Sequence, residues 1–163
     1  MRTLAALAAL FVFYGCTTVP PCPLAGCARR GDLDGIRRLA QAGANLNEPS
    51  GVNSWTPLHH AIHKNQPGSV RLLLELGAAV NARSPHGVTP LMMAAGYGYD
   101  GIVRILLDHH ADPVLKDEHG ATALDHARHG VTDIDRWTWP REQTACVRLL
   151  EAAARRPAAP PAE

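Results

Sequence analysis

The 163-residue sequence is poor in aromatic side chains and has no excess of charge of either sign. Trp, Tyr and Phe together make up 5% of the chain, a fraction that disfavours a sandwich of strands. The formal net charge is +1 at pH 7, so there is no bulk electrostatic attraction to nucleic acid or to an acidic membrane surface. Hydrophobic residues make up 46%, which is enough for one packed domain and excludes global disorder.

Signatures of common catalytic sites are also missing. The sequence has no Gly-rich phosphate loop, no strand–turn–helix motif with a nucleophilic serine, and no paired acidic motif. No cysteine stands in a recognisable nucleophile context. Gly96-Tyr97-Gly98 follows no strand and is predicted to be a tight turn between helices. We therefore expect neither enzymatic activity nor a cofactor.

An uncharged apolar run, residues 4–13, lies behind Arg2 at the N-terminus. Ten residues are too few to span a bilayer, which takes roughly 20, but they suit the core of a secretory signal. The run ends in Tyr14-Gly15-Cys16, which resembles the lipobox of bacterial lipoproteins, although Phe13 and Tyr14 depart from the usual residues. An ordinary secretory signal and a cytoplasmic apolar leader remain alternatives.

The lipobox resemblance implies cleavage before Cys16 and lipidation of that cysteine. Because Thr17 rather than aspartate follows, the same resemblance implies an outer-membrane lipoprotein that faces the periplasm of a bacterial cell envelope. The predicted organisation is a signal peptide at 1–15, a lipidated cysteine and spacer at 16–21, a folded domain at 22–154 and a disordered tail at 155–163.

The informative feature of the sequence is an internal repeat. Thr56-Pro57-Leu58 is echoed by Thr89-Pro90-Leu91 and by Thr122-Ala123-Leu124, and successive threonines are 33 positions apart. Residues 70–74 return at 103–107 with the same spacing, and a degenerate copy begins at Cys22.

These copies resemble the ankyrin family. The resemblance implies an all-α solenoid of about four helix-turn-helix repeats with short β-turn tips. The predicted repeats are about 22–53, 54–86, 87–119 and 120–153, with an insertion near 131–144.

The residue types agree with this prediction. Thr56 can cap a first helix and proline can follow in its first turn. Val70, Leu73 and Leu74 form an apolar stripe on a second helix, which only a neighbouring repeat can bury. The small alanines at positions 61, 94 and 127 are predicted where two helices approach closely. The first copy is one residue short of register with the second, an irregularity placed in the loop from Glu48 to Asn53.

Glycines mark the predicted ends of the second helices. Gly77 follows the helix of the second copy as a left-handed stop, and Gly43 does the same in the first. His110 occupies this position in the third copy, where a left-handed conformation would be strained.

In the ankyrin family, partners dock on the concave side, which comprises the tips and the exposed face of the first helices. Carried over by position, the predicted partner-binding residues are Trp55, His60, His63, His86, Met93, Tyr97, His119, His126 and His129. Trp55 either contacts a partner or packs against the next tip. Trp137 and Trp139 of the insertion either contact a partner or cover the end of the stack.

The histidines and cysteines leave further alternatives open. The pairs His59/His63 and His126/His129 have helical spacing that could hold a metal ion, whereas the family resemblance gives His59 a structural hydrogen-bonding role. Cys22 could pair with Cys27. Alternatively, Cys27 and Cys146 are small buried residues.

The sequence thus predicts a non-catalytic protein–protein interaction module, anchored to the membrane by lipid alone, that binds or shields an unidentified protein. We expect a monomer that binds neither metal nor nucleic acid. A structural tether or scaffold of the envelope is the first alternative, and a histidine-dependent metal-binding protein is the second.

Overall fold

The computed structural model describes residues 23–129 and 140–155, with the side chains of 140–143 left out. The predictions for the signal peptide, Cys16, Cys22, Trp137, Trp139 and the tail lie outside these residues.

Eight helices make up the described part of the chain, and they come in four consecutive pairs. They are α1 (Leu24–Arg30), α2 (Leu33–Gln41), α3 (Pro57–His63), α4 (Pro67–Glu75), α5 (Pro90–Gly96), α6 (Asp100–Asp108), α7 (Ala123–His129) and α8 (Pro140–Ala154). The first helices of the pairs contact one another in the order α1, α3, α5, α7, and the second helices in the order α2, α4, α6, α8. The predicted all-α solenoid of four helix-turn-helix repeats is confirmed.

The first helices begin where their threonines predict. Thr56 and Thr89 have extended backbones, and their hydroxyls accept hydrogen bonds from the backbone N–H groups of His59 and Met92. A proline follows each threonine in the first turn, where no N–H donor is needed. In the fourth repeat the Thr122 hydroxyl donates to Asp125 Oδ2 at 2.7 Å, which fixes the same helix start.

The second helices end in left-handed residues, which also agrees with the sequence. Gly77 has a φ of 96° and Gly43 a φ of 83°. His110, at the corresponding position after α6, has a φ of 63°. A Cβ atom in this conformation crowds the following carbonyl oxygen, at a cost of roughly 1 kcal/mol.

Replacing His110 with glycine is expected to raise the free energy of unfolding by up to about 1 kcal/mol, because the strain of the left-handed backbone disappears. Thermal unfolding followed by circular dichroism measures the change. The neighbouring His109 provides the control, since its φ is −98° and its Nδ1–H donates to the Ile105 carbonyl at 2.9 Å. His109→Gly should lower the melting temperature, and an equal fall for His110→Gly would contradict the strain.

The core runs through all four repeats and is built from the predicted stripe. Val70 and Leu73 are fully buried, and Leu74 is 8% exposed. The three alanines at positions 61, 94 and 127 are also fully buried. The first repeat has Cys27 in place of the alanine, and Gly35 of α2 makes room for it. A Cβ atom on Gly35 would stand 2.8 Å from the Cys27 sulfur.

The two described cysteines are both buried, as one of the two interpretations predicts. The alternative pairing of Cys27 with Cys22 involves a residue outside the described range.

Two local features concern the length of connecting segments. Backbone hydrogen bonds close the tips at Ser50–Trp55, Ser84–Val88 and Asp117–Ala121. The first tip is one residue longer than the other two, so the irregularity that the sequence places in this loop is an extra residue. Helix α8 begins at Pro140, so residues 140–144 of the predicted insertion belong to the second helix.

Within the described residues, every helix is too short or too polar to cross a membrane.

Candidate protein-binding site

The candidate site lies on the first-helix face, by which we mean the exposed side of α1, α3, α5 and α7 together with the tips that precede them. Trp55 closes the first tip through its backbone. The backbone N–H of Trp55 donates to the Ser50 carbonyl at 3.1 Å, and its carbonyl accepts from the Ser50 N–H at 2.8 Å. This pairing holds the indole beside helix α3, where it is half-buried.

Trp55 begins a continuous row of rings, which we call the aromatic strip. Its ring centroid lies 5.6 Å from that of His60 and 5.1 Å from that of His63. His63 lies 5.8 Å from the Tyr97 ring, and its Nδ1 is 3.0 Å from the Tyr97 hydroxyl. Tyr97 in turn stacks on Tyr99 at 5.5 Å. The strip joins the second and third repeats on one side of the molecule.

Met93 and Tyr97 differ from the prediction that they are exposed on this face. Their side chains are only 7% and 4% exposed. Tyr97 is covered by His63 and Tyr99, and Met93 belongs to the core cluster, because α5 packs against both α3 and α7. Neither side chain offers much area to a partner as it stands, so the expected exposure of both residues is wrong, while their partner-binding role stays a prediction.

His60 and His126 each bond to the tip that directly precedes their own helix. His60 Nε2 lies 3.1 Å from the Ser50 hydroxyl and donates to the Ser50 carbonyl at 3.3 Å. His126, two repeats further on, donates from Nε2 to Asp117 Oδ2 at 2.8 Å. The two histidines share one repeat position and hold the tips against the first helices. The sequence signal that could have predicted these two contacts is the polar residue at the start of each tip, Ser50 or Asp117.

The carboxylate of Asp117 is buried beneath His126. Burial alone would raise its pKa, but hydrogen bonds from the Ala121 N–H, from His126 and from the His119 N–H outweigh burial and lower the pKa. The carboxylate therefore stays charged, and it keeps the third tip and helix α7 together.

The remaining predicted histidines lie at the far tips and on the last first helix. The His86 Nδ1–H donates to Glu118 Oε1 at 2.8 Å, and His119 Nε2 lies 3.5 Å from the same oxygen. His129 donates from Nδ1 to the Asp125 carbonyl at 2.8 Å. All three histidines are exposed, but they do not join the aromatic strip, so the structure divides the predicted set into two areas.

His59 has the structural role that the family resemblance implies. Its Nε2–H donates to the Val88 carbonyl of the next tip at 3.2 Å, and its Nδ1 lies 2.9 Å from the Thr56 hydroxyl. Burial lowers its pKa from 6.5 to about 4, so the ring is neutral near pH 7. Both nitrogens are engaged, which leaves no lone pair on His59 for a metal ion. In residues 23–129 and 140–155, no three His, Cys, Asp or Glu side chains form a metal-binding group.

Known proteins share the repeats. A family model described as ankyrin repeats in three copies matches residues 24–117 and 80–137. A glycerophosphocholine phosphodiesterase of Schizosaccharomyces pombe is 41% identical over 111 residues, which are 67% of this chain and 10% of that protein. Neurogenic locus notch homolog protein 1 of Xenopus tropicalis is 35% identical over 66% of this chain and 4% of its own length.

A bacterial relative, named as an ankyrin repeat-containing protein of Treponema pallidum, is 32% identical over 61% of this chain and 34% of its own length. The chain thus spans a tenth to a third of these two microbial relatives and far less of the notch homologue. The similarity lies in a repeat type that is typically non-catalytic and mediates protein–protein interaction. With its stacked helix pairs and a family model that covers most of its length, the chain belongs to the ankyrin-repeat family.

Proposed function

We propose that this chain is a lipid-anchored module of a bacterial cell envelope that binds or shields one partner protein through the first-helix face. Trp55 of the aromatic strip is the central contact residue in this proposal. Cys16 is the proposed lipidation site, on the strength of the apolar run and the Gly15-Cys16 junction that precede the folded repeats.

The observation that carries the binding proposal is the position of Trp55. A half-buried tryptophan, already held by two ring contacts, loses little side-chain freedom when a partner covers it. Tryptophan is also enriched among the residues that dominate interface energies, at about 2 kcal/mol or more each. The buried Tyr97 and the half-buried Tyr99 support the strip, so that Trp55 and His63 present a fixed surface.

Capture of partners from the native envelope by the full chain, followed by mass spectrometry, tests the proposal. We expect one stoichiometric partner, and Trp55→Ala should weaken its affinity by roughly thirtyfold, the equivalent of about 2 kcal/mol. Val114→Ala is the matched control, since Val114 is 63% exposed in the turn after α6, away from the strip. The melting temperature of each variant separates lost binding from lost folding.

Other outcomes would contradict the proposal. Equal capture of the partner by Trp55→Ala would show that binding uses another surface. Many weak partners in place of one would favour a scaffold of the envelope. The anchor is tested independently, because Cys16→Ser should abolish incorporation of labelled fatty acid without changing the stability of the repeats.

A further inference from the structure

Charge is distributed unevenly between the two layers of helices. Helices α2, α4 and α6 carry four arginines and four carboxylates, so that layer is balanced. Helices α1, α3 and α5 carry two arginines and no carboxylate. Lys64, at the C-terminal end of α3, adds a third cation, and Arg29 and Lys64 are both exposed.

The charges at the other end of the first-helix face are already engaged. Asp125 accepts hydrogen bonds from Thr122, and Arg128 lies 3.1 Å from a Glu151 oxygen. Asp117 is held by His126. The first two repeats therefore contribute the positive charge of this face that lies beside the aromatic strip.

Arg29 lies in α1, which packs against α3, the helix that carries the two histidines in contact with Trp55. Lys64 directly follows His63 in the chain. The pKa of His60 is lowered mainly by burial and further by the positive charge of Arg29, which places that charge within electrostatic reach of the strip. An apolar aromatic contact thus has cations on its borders, and no carboxylate of α1, α3 or α5 opposes them.

We propose that the segment of the partner that docks here is an acidic stretch of polypeptide, with carboxylates against Arg29 and Lys64 and an apolar side chain over Trp55. This inference rests on the proposed binding function. A polypeptide fits better than nucleic acid, because the basic area is small and the chain as a whole carries a formal net charge of only +1, whereas phosphate-backbone binding uses many cations.

Nuclear magnetic resonance titration of the full chain with a short peptide of alternating Glu and Leu tests the inference. We expect shifts at the Trp55 indole N–H and at the Arg29 and Lys64 amides, with a dissociation constant of about 1 mM or lower. The same peptide with Gln in place of Glu should bind at least about tenfold more weakly, and added salt should weaken the Glu peptide, since exposed charges are screened.

Charge reversal supplies the matched variants. Arg29→Glu combined with Lys64→Glu should weaken binding of the Glu peptide by at least about tenfold, because repulsion replaces attraction. Arg71→Glu combined with Arg104→Glu makes the same change of net charge on exposed positions of α4 and α6 and should leave the affinity within about twofold.

Several results would overturn the inference. Both double variants could lose the same affinity for the Glu peptide, or the Gln peptide could bind as tightly as the Glu peptide. Neither peptide could bind at all, or short single-stranded DNA or anionic vesicles could bind more tightly than the Glu peptide. Failure of the proposed function is distinguishable. A captured partner that needs Trp55 but is indifferent to Arg29→Glu with Lys64→Glu would leave the binding function intact and remove only its acidic specificity.

Discussion

Acidification from about pH 7 to about pH 4 is expected to lower the free energy of unfolding by about 3 kcal/mol through His59 alone. The ring is fully buried and bridges the second and third repeats, from Thr56 to the Val88 carbonyl. Its neutral form satisfies this site, with Nε2 as donor and Nδ1 as acceptor. A protonated ring would place an uncompensated charge in the core.

The sign of this pH dependence follows from the pKa values of His59 in the folded and in the unfolded chain. The pKa of His59 is about 4 in the folded chain and about 6.5 in the unfolded chain, so between these values the unfolded chain binds the extra proton. The contribution of neutral His59 to the free energy of unfolding is fully present above pH 6.5 and is lost as the pH falls towards 4. His60 adds a loss of the same sign, because burial lowers its pKa too. The pKa values of Asp117 and Asp125 are lowered below 3.8, so their effect appears only in stronger acid.

Urea unfolding at a series of pH values, followed by far-ultraviolet circular dichroism, measures this loss. His59→Gln should be less stable near pH 7, by about 1 to 3 kcal/mol, because it loses the buried hydrogen bonds. Its free energy of unfolding should also depend much less on pH between the two pKa values of His59. His86→Gln is the control, since its ring is exposed at a tip, and it should follow the wild-type profile. A wild-type profile that is flat down to pH 4.5 would contradict the buried neutral histidine.

The sequence was sufficient to predict the features of the fold that depend on local chemistry. Thr56 and Pro57 define a helix start by capping and by a fixed φ, and both are visible in a short window. Gly77 and His110 mark helix ends by the same kind of argument. The apolar stripe with Val70 and Leu73 has helical spacing and one possible destination, because a single helix pair cannot bury it.

The candidate site was less predictable because it depends on distances between repeats. Tyr97 aligns with the exposed Lys64, yet it is buried, because His63 of the preceding repeat reaches its hydroxyl and Tyr99 covers its ring. The spacing of one helix does not contain this information. The contacts of His60 and His126 are more local, since their partners lie in the preceding tips nine or ten residues earlier, but they too lie outside the spacing of a single helix.

The largest single loss of stability is expected from Leu73→Ala, which should cost about 2 to 5 kcal/mol. Leu73 is fully buried in α4, a helix that contacts α1, α2, α3 and α6. Truncation leaves a cavity in the core, and the neighbouring helices cannot close it without loosening their own contacts. Because each repeat is stabilised by its neighbours, damage to the second repeat also weakens the interfaces on both of its sides.

Leu76→Ala separates this burial effect from the intrinsic helix propensity of alanine. Leu76 is the C-cap of the same helix and is 39% exposed, so the identical substitution should change the free energy of unfolding by less than about 1 kcal/mol. Urea unfolding of both variants should give well-separated midpoints. Since stability of about 5 to 15 kcal/mol is typical of a domain, Leu73→Ala removes a large part of it. Equal losses at the two leucines would mean that neighbouring helix pairs do not bury the stripe, and the stacked arrangement would be wrong.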